Sequence, residues 1–144
     1  MGVVLLVNGK RDLWRGVALN TNLCMSNPKV RTIMATAIAE YAEKHSNVDY
    51  LHVWLADGSN NHCECENCQK ARPSDFYMMI MNELDEELPR RNLASKIVFI
   101  AYVDTLFAPR QEKIKNPGRF ALLYAPIQRS YTSSVNRELI QAPP

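Results

Sequence analysis

The sequence carries no Gly-rich phosphate loop, no Gly-x-Ser-x-Gly elbow and no His-Glu-x-x-His helix. Nucleotide binding, serine hydrolysis and zincin chemistry therefore have no support in its motifs. No apolar run approaches the ~20 residues of a membrane span. The longest early run, Val3 to Val7, is shorter than a secretory h-region of about 7–15 residues, and no basic segment precedes it. We expect neither a membrane span nor a signal peptide in these residues. Charge of one sign is not in excess: 17 basic against 15 acidic residues leave +2, too weak a balance for a nucleic-acid partner. Internal repeats and low-complexity segments are lacking. What remains is 47% hydrophobic and 22% charged over 144 residues, ordinary usage for one globular domain.

Val3 to Val7 reads as a strand ended by the turn dipeptide Asn8-Gly9, with a second strand expected near residues 16–20. Ser26 or Asn27 can cap a helix that Pro28 opens, since a proline at the first helical position gives up an N–H that has no partner there. Val30, Ile33, Met34, Ala37, Ile38 and Tyr41 recur at helical period, which predicts a helix to about His45 with that stripe inward. Residues 49–56, 96–103 and 120–125 are short apolar runs that suit strands buried on both faces. Between the first two, Ser74 can cap a helix that Pro89 stops. Strands alternating with helices predict an α/β fold of parallel βαβ units. Right-handed crossovers place Cys24, the 57–73 loop, Asp104 and the 126–135 segment on one rim. That carboxyl rim is where parallel α/β folds bind ligands.

His62-Cys63-x-Cys65-x-x-Cys68 is the most specific local signal, with three of the four cysteines inside six residues. Three such thiolates can converge on one tetrahedral metal, and the neighbouring rim loop offers Cys24 as the fourth ligand, with His62 as runner-up. Four thiolates leave no open position for water, so the metal would be a structural zinc ion. Two other readings stay open from spacing alone: one disulfide, Cys24 with Cys63 or Cys68, or free thiols.

Asp57 and Asp104 each follow a strand. Facing one cleft, they would match the carboxylate pair of glycoside hydrolysis, separated by about 5–9.5 Å. Trp54 and Tyr102, with Tyr124, stand at strand ends where aromatic rings stack on sugars or pack the core. Asn60 and Asn61 can bind hydroxyls or turn the chain, and Arg129 and Tyr131 follow the last strand toward the cleft. His52 reads as an interior histidine, Glu83 as a solvated or helix-pairing group and Asn82 as a side chain packing against the rim. Lys10-Arg11 and Arg90-Arg91 read as solvated charges.

These residues form an ordered series: Asn8-Gly9-Lys10-Arg11, Leu23-Cys24-Met25-Ser26-Asn27-Pro28-Lys29-Val30, Asp57-Gly58 with the cysteine loop, Ser74, and the Asn82-Glu83 helix. The series resembles the bacterial family called domain of unknown function 4838, over roughly residues 8–131. That family is similar to glycoside hydrolases with (β/α)8 barrels, including α-glucuronidases and β-hexosaminidases. The resemblance implies a carbohydrate-active barrel of secreted, periplasmic or surface-attached proteins, with a glycan as substrate or ligand. In related hexosaminidases an Asp-Glu pair supplies the acid after the fourth strand. Asp57 would stand at a comparable strand end, but Gly58 follows it in place of the Glu.

A (β/α)8 barrel typically needs about 250 residues, so the chain reads as a single partial TIM-barrel-like domain over residues 1–144. Residues 126–144 are polar and weakly patterned and read as a poorly ordered tail. Two open sheet edges would offer a route to self-association. The expected function is to act on or bind a glycan at the strand rim, as a glycoside hydrolase within a larger protein. The alternative is a non-catalytic carbohydrate-binding or zinc-stabilised interaction domain.

Overall fold

A computed structural model of the chain describes residues 4–127 and 129–132. Asn8 and Gly9 both take positive φ, 50° and 75°, as the tightest hairpin turns require. They join β1 (Leu6–Val7) to β2 (Lys10–Arg11) in antiparallel register. Val3 lies outside the described residues. The predicted strand near 16–20 does not form. Arg15 and Gly16 have φ of 50° and 75°, which interrupts an extended chain, and single 3₁₀ turns occupy Trp14–Gly16 and Ala18–Asn20. The first strand therefore belongs to a small hairpin, not to the parallel sheet.

Helix α1 (Pro28–Lys44) starts as predicted, with the Asn27 side chain accepting from the Lys29 N–H at 3.1 Å. Its inward face is different. Val30, Ala35, Ala39 and Ala42 are buried, whereas Ile33 and Tyr41 are 61% and 54% exposed. Small alanines let α1 lie close to the bulkier face of α2 (Pro73–Arg90), where Phe76, Tyr77, Ile80, Met81, Leu84 and Leu88 are buried in the same core. Ion pairs fasten the two helices: Arg31 with Glu83 at 2.7 Å and Arg91 with Glu43 at 2.8 Å. Glu83 thus pairs helices, and Arg91 is not merely a solvated charge.

The second helix begins one residue before Ser74. Asp75 accepts from the Arg72 N–H at 3.0 Å, while the buried Ser74 hydroxyl has no partner. At the other end Asn92 takes φ of 56°, Leu93 N–H reaches Leu88 C=O at 2.9 Å, and Asn92 N–H reaches Pro89 C=O at 3.0 Å. These two bonds form a Schellman cap.

Strands β3 (Tyr50–Val53), β4 (Lys96–Ala101) and β5 (Phe120–Tyr124) form a parallel sheet in the order β3-β4-β5. Leu51 lies opposite Ile97, and Ile97 opposite Phe120. The described residues are thus a mixed α/β unit with no closed barrel, consistent with a partial, barrel-like fragment. Burial on both faces does not hold for the edge strands: no residue of β5 is buried, and Leu122 is 56% exposed, while β3 is buried on one face only. Leu51 and Val53 are buried, but Tyr50 and His52 are exposed. The core built with the two helices takes up Leu51, Val53 and Ile97, and Tyr50, His52 and Trp54 lie outside it. His52 is therefore not an interior histidine, and it meets Trp54 edge-on at 6.1 Å.

No α-helix joins β4 to β5, only single 3₁₀ turns at Val103–Thr105 and Pro117–Arg119. The connection is instead pinned along one side of α2. Asp75 accepts from the Gln111 and Glu112 N–H groups at 2.7 and 3.0 Å. Asn82 donates to Lys113 C=O at 2.9 Å and accepts from Lys115 N–H at 3.1 Å, and Asp85 pairs with Arg119 at 2.9 Å. Asn82 therefore serves this connection and not the rim. Among the described residues from Pro126 onward, none is in a helix or strand. The remainder of the expected tail lies outside the described residues.

Candidate functional site

The two loops that precede α1 and α2 meet beside the β1–β2 hairpin. Cys24, Cys63, Cys65 and Cys68 present four sulfur atoms that all lie within 4.8 Å of one another. Cys24 Sγ is 3.7 Å from Cys65 Sγ and 3.9 Å from Cys68 Sγ. A tetrahedron with metal–sulfur bonds of about 2.3 Å has edges of about 3.8 Å, so these spacings fit one mononuclear metal ion. No disulfide joins any two of them. His62, the runner-up ligand, turns away: its Nδ1 lies 3.6 Å from Asp104 Oδ2.

The surroundings act on the sulfurs unequally. Cys63 Sγ accepts from the Leu6 N–H at 3.2 Å, and the Arg11 guanidinium reaches it at 3.6 Å. Arg11 is therefore a partner of the cluster and not a solvated charge. Burial pushes the Cys63 thiol up and the Cys68 thiol up to about 12. Burial opposes ionisation of Cys65 as well. The Cys68 N–H, the Ser26 hydroxyl and the neighbouring thiols outweigh it and bring Cys65 down to about 6. A metal ion held here would take its sulfur ligands as thiolates, so its binding would release protons.

A cleft of about 480 Å³ lies at the carboxyl ends of the strands, lined among others by Asn22, Trp54, Asp57, Asn61, His62, Tyr102 and Asp104. The fold thus brings Asp57, Asp104, Trp54 and Tyr102 to one cleft. Asp57 is exposed and accepts from the Gly58 N–H at 2.9 Å. Asp104 is partly buried and accepts from the Asn60 N–H at 2.7 Å. Asn60 itself, with φ of 53°, turns the chain and does not line the cleft. Arg129 does not line it either, and its guanidinium stacks over Tyr131 at 4.9 Å.

Asn61 is the residue that sequence reasoning left undecided. It is buried, its Oδ1 accepts from Asn22 Nδ2 at 2.9 Å, and its Nδ2 donates to Asn20, Ala56 and Asp57 carbonyls at 2.9, 3.1 and 3.0 Å. Asn22 in turn accepts from the Ala56 N–H at 3.0 Å. No sequence signal marks Asn22, because its role depends on a residue on the other loop.

A sequence model of the family described as "Domain of unknown function (DUF4838)" matches residues 4–141. The chain belongs to this family. No curated protein and no solved structure gives a significant match. In this DUF4838 chain the four-cysteine cluster and the rim cleft are adjacent, and the same two loops contribute to both.

Proposed function

We propose that the DUF4838 chain is a glycoside-hydrolase-like barrel fragment that acts on or binds a glycan at the carboxyl ends of its strands. A structural zinc ion on Cys24, Cys63, Cys65 and Cys68 braces the rim. The observation that carries the reading is the convergence of Asp57, Asp104, Trp54 and Tyr102 on one cleft. Aromatic rings supply flat apolar surface for sugar faces, and carboxylates supply acid–base groups and hydroxyl acceptors. Asp57, the more exposed acid, is the first catalytic candidate, and Asp104 is its partner. A second reading, binding without hydrolysis, draws on the engagement of Asp104 with the Asn60 N–H and His62.

The test is hydrolysis and binding across an oligosaccharide panel, with Asp57→Asn and Asp104→Asn variants. Catalysis predicts a loss of about 10²–10⁴ in turnover for each variant. Full activity in both variants excludes these acids. Binding without turnover selects the second reading, and failure to bind any saccharide overturns both. Metal analysis of protein purified without chelator should find one zinc per chain.

A further inference from the structure

We propose that metal occupancy of the four-cysteine centre builds one wall of the rim cleft, so that ligand binding there depends on a metal the ligand never touches. The inference deepens the functional reading above and rests on it only for the nature of the ligand.

The chain order carries the argument. On the first loop Cys24 sits between Asn22 and Met25, and both of those line the cleft. On the second loop Asn61 and His62 line the cleft, and Cys63 follows directly. Each loop therefore gives neighbouring side chains to the cleft and to the cluster. The wall between them is one side chain thick. Met25, His62 and Pro73 line the cleft on one side and, on the other, a small void also bordered by Cys63 and Cys68.

On the cleft side the loops are joined by the buried Asn22–Asn61 pair at 2.9 Å. On the cluster side they are joined by sulfur contacts of 3.7–3.9 Å and by the Cys68 thiol donating to the Ser26 hydroxyl at 3.1 Å. Sulfur is a weak donor and acceptor. Metal–thiolate bonds would replace these contacts with a rigid tetrahedral joint. Losing that joint leaves the amide pair as the main tie; the Ala56 N–H depends on its geometry through Asn22, and the Asn60 N–H, which Asp104 accepts, lies next to Asn61 in the chain. The coupling is reciprocal by linkage, so a cleft ligand must tighten metal binding by the factor by which metal tightens the ligand.

The test is hydrogen exchange on the full chain in three states: zinc-loaded, stripped with a chelator, and reloaded with zinc alone. Metal content is measured in each. Stripping should raise exchange of the Ala56 and Asn60 amides about tenfold or more, leave residues 80–88 of α2 protected, and reverse on reloading. Unchanged protection at Ala56 and Asn60 after confirmed metal loss overturns the proposal. So does equal loss of protection in α2, because the metal would then hold the whole fold and not the cleft wall. Any panel oligosaccharide that binds the loaded chain should bind the stripped chain about tenfold more weakly, within the usual 5–150-fold range of coupling. Equal affinity overturns the coupling. If no oligosaccharide binds, the glycan reading falls while the exchange result still decides this one.

Discussion

The hydroxyl of Tyr77 donates to the Val53 carbonyl and accepts the Ile100 N–H at 3.2 Å. One helical side chain thereby splices β3 to β4 at the point where the strands part to form the cleft. Burial pushes this phenol up to about 12, so it stays protonated through the physiological range.

Tyr77→Phe keeps the ring and strands two buried backbone groups. The expected loss is about 1–3 kcal/mol, read as a lower urea midpoint with an unchanged slope. The wild type carries a matching pH signature. Its folded pKa lies above the unfolded value, so the contribution is complete below about pH 10 and is lost as pH rises toward 12. The Phe variant should lack that alkaline loss.

Arg11 should matter to the cysteine cluster beyond the hairpin it belongs to. Four thiolates around a divalent ion carry net negative charge, and the guanidinium at 3.6 Å from Cys63 Sγ offsets part of it. Groups that support metal ligands in this way are typically worth about 10–100-fold in affinity. Arg11→Gln should therefore weaken zinc binding by that factor in competition with a chromophoric chelator. Arg11→Lys, which keeps the charge and loses the fork, should fall between.

The parallel order of strands, the start of α1 and the grouping of four cysteines were legible because each rests on local pattern. Pro28 after Asn27, the apolar runs and the spacing of Cys63, Cys65 and Cys68 need no knowledge of the rest of the chain. What was illegible depends on partners distant in sequence. Ile33 and Tyr41 fit the helical stripe as well as Ala35 and Ala39 do. Only the large side chains of α2 decide that the small ones face inward. Arg11 looked like a surface charge because Cys63, 52 positions away, is not visible from its neighbours. Asn22 and Asn61 are separated by 39 positions and act as one unit.

Asp75 makes stability depend on acid. It is fully buried. Burial alone would raise its pKa, but the Gln111, Glu112 and Arg72 N–H groups outweigh this and hold the carboxyl below the ordinary carboxylate value. A depressed folded pKa contributes stability above the unfolded value of about 3.9 and loses it as pH falls through the folded value. Asp75→Asn should therefore cost about 1–3 kcal/mol at pH 7, chiefly by freeing the β4–β5 connection. The gap between variant and wild type should narrow in thermal melts below pH 4. A gap independent of pH would place the cost in shape and not in charge.

Gly58 holds a backbone conformation that a side chain would strain. Its φ is 126°, and an added Cβ would sit 3.3 Å from Asn61 Nδ2. A side chain at this position would strain the backbone and press on the buried amide that ties the two rim loops. Gly58→Glu should thus lose about 1–3 kcal/mol of stability. Gly58→Ala should lose a similar amount, because the penalty lies in φ and Cβ and not in the carboxylate. Equal melting temperatures for Gly58→Ala and wild type would mean that the turn relaxes freely.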